Sequence, residues 1–163
     1  MRLRLPVFVK ILTPLIVVII LSIWVSGYRV YRASTQRWQS EMDLRLEHIA
    51  TFVASIVDVD TLQQIQKPVD IDGEAYITVA NSLEQAVVVG NIDWVGIYYR
   101  KGDYLYYWAD NDYTGVGYPF FYPTPEHFAA FDERQVHKVQ YTDEFGSYYG
   151  FVAPIVADVD GTA

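Results

Sequence analysis

IDWVGIYYRKGDYLYYWA, residues 92–109, decides the architecture. Two runs rich in β-branched and aromatic residues, 92–99 and 104–109, flank Arg100, Lys101, Gly102 and Asp103. Such runs joined by a short glycine-containing loop predict a β-hairpin. Alternation puts Trp94, Gly96 and Tyr98 on one face and Val95, Ile97 and Tyr99 on the other, while Tyr104, Tyr106 and Trp108 share a face. A sheet with aromatics on both faces can pack a helix on one side and line a cavity on the other.

Upstream of the hairpin the pattern is helical. Residues 74–88 read as a helix with Ile77, Leu83 and Val87 among its apolar positions, closed by Gly90-Asn91. An acidic, turn-like link over 68–73 precedes it. Before that, Asp60-Thr61-Leu62-Gln63 resembles a capping box and starts a short helix that Lys67-Pro68 stops. Residues 29–57 contain no Gly or Pro. Trp38, Met42, Ile49, Phe52 and Ile56 recur there at a spacing near 3–4, which predicts a long helix. Arg45 interrupts the stripe, so a long coiled coil is not demanded. Residues 46–57 are expected to pack on their own domain. The part nearer the N-terminus is expected to pair with a second copy, making a homodimer.

Downstream, Gly115, Gly117, Pro119 and Pro123 make residues 111–123 a loop. Thr124-Pro125-Glu126 starts a helix that ends near Phe131, with Thr as cap and Pro at the first position. Strands are expected over 135–141 and 147–156, with turns at 142–146 and 158–161. An Asp-Gly turn after a strand leads into a partner strand, and Thr162-Ala163 is too short to be one. The expectation is therefore a fragment that lacks at least one strand of its sheet.

ILTPLIVVIILSIWVSGY, residues 11–28, carries no charge. It is about long enough to cross a bilayer core, which takes roughly 20 residues. Arg2, Arg4 and Lys10 precede it, Arg29 and Arg32 follow it, and Trp24, Tyr28 and Tyr31 stand where interfacial aromatics are found. Pro14 is compatible with a span. A cleaved signal peptide is a competing reading, but the run is long for one and only Val25-Ser26-Gly27 offers a weak cleavage site. A buried core helix is disfavoured by the uninterrupted apolar run between basic flanks. The flanking charges nearly balance and do not set the orientation. The net charge is -8, and the first 27 residues hold Arg2, Arg4, Lys10 and no acid, so residues 28–163 carry -11. That acidity argues against a nucleic-acid surface. No cysteine is present, which rules out a disulfide framework.

Catalytic chemistry is hard to place. Gly146-Ser147-Tyr148-Tyr149-Gly150 is not the G-x-S-x-G elbow. His48, His127 and His137 lack metal-ligand spacing, and His48 and His127 read as surface residues. Asp110-Asn111-Asp112-Tyr113-Thr114-Gly115 is a partial calcium-loop pattern, but Phe121 stands where a Glu is needed; Asx-type turn chemistry is the plainer reading. No metal or cofactor is called for. The aromatics are more informative: 14 tyrosines and four tryptophans in 163 residues. Tyrosines supply apolar walls with hydroxyl handles, which suits a small-molecule pocket, and several rings together could cage a cation. The candidate ligand-binding residues are Tyr98, Tyr106, Trp108, Asp110 and Tyr148. For any one of them, a place in an aromatic-rich core is the competing reading.

Tyr141-Thr142-Asp143-Glu144-Phe145-Gly146-Ser147-Tyr148, then Ala153-Pro154-Ile155-Val156 and Asp158-Val159-Asp160-Gly161, complete a familiar order of parts. Residues 5–161 resemble the extracytoplasmic PAS-like sensor domains, of the Cache type, in bacterial transmembrane receptors. The resemblance implies an α+β domain: a transmembrane helix, a long stalk helix, then an antiparallel sheet of about five strands with flanking helices. It implies a layout of cytoplasmic tail (1–10), span (11–28), stalk (29–57) and extracytoplasmic sensor (58–163), anchored in the plasma membrane. It further implies an unidentified small-molecule ligand between the sheet and its covering loops and helix. A second span and an output module (histidine kinase, diguanylate or adenylate cyclase, or chemoreceptor) would come after it. The amino-acid motif of some double Cache sensors has no counterpart here. A membrane-anchored protein-binding or scaffold module is the alternative, and an enzyme ranks third because no catalytic constellation is present.

Overall fold

The computed structural model of the chain describes residues 7–66, 68–144 and 146–155. It is an α+β protein that divides into two units, Met1–Met42 and Asp43–Ala163. The elements in order are helix α1 (Val7–Ile56), helix α2 (Val59–Gln64), a 3-10 turn (Pro68–Asp72) and helix α3 (Glu74–Gly90). Strands β1 (Gly96–Lys101) and β2 (Tyr104–Asp110) come next, then helix α4 (Pro125–Glu133) and strands β3 (His137–Thr142) and β4 (Ser147–Val152).

The first unit is helical where it is described. An 18-residue window of α1 reaches a mean hydropathy of 2.2 with none of it buried. By length and composition this helix can cross a membrane. Trp24 and Tyr28 stack one turn apart, ring centroids 6.1 Å from each other.

In the second unit, the last turns of α1 pack on the domain, as expected for residues 46–57: Val53 and Val57 are buried and Ile49 lies against the same core. Arg45, which breaks the apolar stripe, hydrogen-bonds the Gly90 carbonyl at the end of α3. A cation there completes an orphan carbonyl and suits the negative helix end. Asp43 is tied to the β3–β4 hairpin through Lys138 Nζ at 2.9 Å and through the Tyr149 hydroxyl.

Helix α2 starts two residues earlier than the expected capping box. Asp58 is the cap, accepting from the amides of Asp60 and Thr61 at 3.3 and 3.2 Å. The link over 68–73 is a 3-10 turn. Helix α3 ends where Gly90-Asn91 predicts, with Asn91 left-handed at φ 46°. Its inward face is Tyr76, Val79, Ala80, Leu83 and Ala86. Of the expected apolar positions only Leu83 is core; Ile77 is exposed and Val87 half-buried, because the buried stripe runs one position off. The core gathers Leu62 and Ile65 from around α2, Tyr76 and Leu83 from α3, and Ile97 and Ala109 from the first hairpin. Each large apolar side chain buried in this way contributes roughly 1.5–3 kcal/mol.

The expected single sheet of about five strands is not what forms. There are two antiparallel sheets of two strands each, β1–β2 and β3–β4. The β1–β2 connection is the two-residue turn Gly102-Asp103, shorter than expected because Arg100 and Lys101 stay in the ladder. A bulge lies between Ile97 and Tyr98 of β1, with Trp108 of β2 as the extra residue. It turns both Trp108 and Ala109 toward the helices, which strict alternation does not. The second edge of β2 is not free. Tyr107 N donates to Tyr118 O, Gly117 N to Tyr107 O and Phe120 N to Leu105 O, each at 2.8 Å. The expected loop thus contributes a short backbone run beside the sheet. Strands β3 and β4 start close to expectation. Strand β4 ends at Val152, short of the expected 147–156, and residues 153–155, which include Pro154, are not in a strand; residue 156 and the turn over 158–161 lie outside the described residues.

Candidate functional site

The bulged hairpin sorts its rings into two groups. On the helix-packed face Tyr99 stacks on Tyr106, with centroids 5.4 Å apart, and meets Trp108 edge-on at 5.7 Å. On the other face Tyr98 meets Tyr107 at 5.1 Å and Phe120 at 4.9 Å. Trp94 closes that group over Gly96. A Cβ at Gly96 would stand 2.3 Å from the Trp94 ring, so only glycine fits there.

Helix α4 and the second hairpin extend this second group. Phe120 packs on His127 at 5.1 Å and on Tyr141 at 5.3 Å, and Tyr141 stacks on Tyr148 at 5.0 Å. Phe120 and His127 are buried; Tyr98, Tyr107, Tyr141 and Tyr148 are half-buried. The result is a packed aromatic cluster, the aromatic chamber, contributed by both hairpins, α4 and residue 120.

Three of the chamber's hydroxyls, those of Tyr98, Tyr107 and Tyr141, are held neutral. Burial raises the Tyr98 pKa well above its ordinary value, helped by the neighbouring Tyr107 and Tyr141 hydroxyls. Burial also raises that of Tyr107. Tyr141 is pushed up to about 12, by burial first and then by Tyr107 and Asp143. Groups that resist ionisation offer apolar faces plus neutral donors.

His127 is not the surface residue its sequence position suggests; it is fully buried. Its Nδ1 accepts from the Thr124 amide at 3.1 Å, completing the α4 cap, so the ring proton sits on Nε2. Burial lowers its pKa to about 4, against a smaller opposing effect of Glu126. The imidazole is therefore neutral at pH 7.

The five candidate residues do not form one site. Tyr98 and Tyr148 belong to the chamber. Tyr106 and Trp108 lie on the opposite face, and the Trp108 Nε1–H donates to the Ile65 carbonyl at 2.8 Å. Asp110 is fully buried and organises a loop: its Oδ1 accepts from the amides of Asp112 and Thr114 at 3.0 and 2.9 Å. That is the Asx-turn reading of the Asp110–Gly115 stretch. Asp110 Oδ2 has no hydrogen-bond partner among the described residues. Tyr107, Phe120, His127 and Tyr141 are the chamber residues that sequence reasoning missed. Period-two alternation from Tyr99 and Tyr106 could have found Tyr107. Nothing local marks Phe120 or His127.

A cavity of about 490 Å³ lies beside the chamber. Tyr98, Tyr99 and Trp108 line it, together with residues of α1, α2, α4 and β4. The chamber itself offers binding chemistry: ring faces, neutral hydroxyls and an imidazole. Among the described residues no group of three His, Cys, Asp or Glu could hold a metal ion. No family model matches this chain, and no curated protein or solved structure is significantly similar to it.

Proposed function

We propose that this chain is the ligand-sensing input module of a membrane-bound signalling receptor of the Cache-like kind. The observation that carries the reading is the aromatic chamber joined to a membrane-compatible helix. Four half-buried tyrosines converge from two hairpins beside His127 of α4, and burial raises the pKa of three of them. A neutral or cationic small molecule with a flat apolar body fits such walls. A ligand that touches both hairpins favours one arrangement of the two, and a signal requires that difference in affinity. Asp43 of α1 is bonded to the second hairpin, which provides a route from the chamber to the helix. The soluble domain lies outside the cytoplasm, the chain pairs through its stalk, and the receptor's output is a kinase, cyclase or chemotaxis module. The location and the output rest on the resemblance of residues 5–161 to such sensors, and the pairing on the apolar stripe of residues 29–57.

The test is a thermal-shift screen of the whole chain in detergent micelles against a broad metabolite panel. A hit raises the melting temperature, and Tyr98→Phe and Tyr141→Phe weaken that shift at least several-fold. If no compound stabilises the protein, or hits are indifferent to both variants, the sensing reading fails.

A second reading has one specific observation behind it. Val88 and Val89 at the end of α3 are 72% and 85% exposed, and Phe121 is 74% exposed. Apolar groups left in solvent suit a protein-binding scaffold anchored to a membrane. Substituting Val88, Val89 and Phe121 by Ser would abolish such binding and leave the ligand-induced thermal shift intact.

A further inference from the structure

Charge of the two signs is segregated along this chain. The first acid is Glu41, and six Lys and Arg come before it, so residues 1–40 carry +6 and residues 41–163 carry -14. Three of those basic residues, Arg29, Arg32 and Arg37, follow directly on the uncharged run 11–28. They are not alike. Arg37 is answered one turn on by Glu41, Nε to Oε1 at 2.9 Å. Arg29 and Arg32 have no acid within two turns of helix in either direction. Neither makes an ion pair among the described residues. Three residues apart, they are neighbours on the helix surface, about 5–6 Å from each other at Cβ. Two like charges at that spacing repel. One anion between them removes the repulsion and gives both guanidiniums an acceptor.

An open groove of about 300 Å³ runs along the same side of α1. Trp24, Val25 and Tyr28 line one end of it, and Arg29, Arg32 and Gln36 the other. The stacked Trp24 and Tyr28 rings make its first part an apolar wall. Depth follows from the helical rise. With Tyr28 at the edge of the hydrocarbon, Arg29 and Arg32 stand about 1.5 and 6 Å beyond it. The headgroup layer is about 5–7 Å deep. The groove therefore runs from acyl-chain depth to phosphate depth. A free anion would use only its basic end. A second copy of the chain would bring four guanidiniums together, which disfavours it as the occupant.

We propose that this groove binds one anionic phospholipid. The lipid phosphate lies between the Arg29 and Arg32 guanidiniums, and an acyl chain runs along Val25, Trp24 and Tyr28. Arginine suits the task because its planar fork matches phosphate geometry and never loses its charge. Gln36, one turn beyond Arg32, offers an amide to the hydroxyls of a glycerol headgroup. A zwitterionic lipid is a poorer occupant, since its own cation meets the two arginines. The inference rests on α1 lying in a bilayer and holds whether or not the second unit senses a small molecule.

The test places the full chain in phosphatidylcholine vesicles. A minor fraction of the lipid is phosphatidylglycerol or phosphatidylcholine brominated in its acyl chains. Bromine quenches the tryptophans it can touch, and a Trp24→Phe variant isolates the share of Trp24. Each arginine at a membrane surface is worth about fivefold, so brominated phosphatidylglycerol should be enriched at Trp24 about 25-fold over phosphatidylcholine. Arg29→Gln combined with Arg32→Gln should remove most of that enrichment. Each single variant should lose about fivefold, which carries the test should the double variant not insert. Arg37→Gln, whose partner is Glu41, should leave the enrichment unchanged. Excess inorganic phosphate should not displace the lipid. Four outcomes each overturn the proposal: equal quenching by the two lipids, enrichment that survives loss of Arg29 and Arg32, an equal loss in Arg37→Gln, or displacement by phosphate. No quenching by either lipid would take α1 out of the bilayer and the proposal with it, and would leave the thermal-shift test of the chamber standing.

Discussion

His127 shows how far one residue can depart from its local pattern. Its pKa falls to about 4 because it is buried. The unfolded chain therefore binds a proton between about pH 6.5 and 4 that the folded chain does not. Stability contributed by the neutral imidazole is intact above pH 6.5 and is lost as the pH falls toward 4. The loss is about 2–3 kcal/mol. His127→Gln keeps an acceptor at the third position of the cap and cannot titrate. Urea midpoints at pH 7 and pH 4.5 should differ less for this variant than for the parent. Asp110 is the second such residue. With two loop amides on its carboxylate, Asp110→Ala should cost about 1–3 kcal/mol, read by urea denaturation. No ligand need be present to see it. An Asx turn and a binding carboxylate look alike in one dimension, so the loop role of Asp110 is visible only in the fold.

Among elements, the β1–β2 hairpin was the most legible, since two aromatic runs around Gly102-Asp103 have few other ways to fold. Its bulge was not legible. Only the packing of Trp108 against the core and its bond to Ile65 O reveal why Trp108 and Ala109 share a face. Trp108→Phe keeps most of the ring and removes that bond, which should lower stability by about 1 kcal/mol in urea denaturation. Helix α4 offers the opposite case. Its C-cap residue Arg134 is left-handed at φ 53°, a conformation that favours glycine. Arg134→Gly should stabilise the protein by about 0.5 kcal/mol, measured the same way.

For the whole molecule, α1 is long and apolar enough to cross a membrane. The full chain should sediment with membranes and need detergent for release, whereas a chain lacking residues 1–28 should stay in the supernatant. A full chain that is shortened at its N-terminus and soluble would instead mark a cleaved leader. What the amino-acid sequence determined by itself was local: the long apolar helix, the α3 stop at Gly90-Asn91, the Thr124-Pro125 start and the existence of the hairpin over 92–109. Those signals depend on a few adjacent side chains and backbone preferences, so one dimension suffices. What only the tertiary structure decided was which distant residues meet. It brought Tyr98, Phe120, His127 and Tyr141 into one chamber and parted Tyr98 from Tyr106. It also separated the expected sheet into two hairpins with a cavity lined by both. These contacts arise from a bulge, from a loop docked on β2 and from helices covering both faces, and none of these has a local signature in the chain.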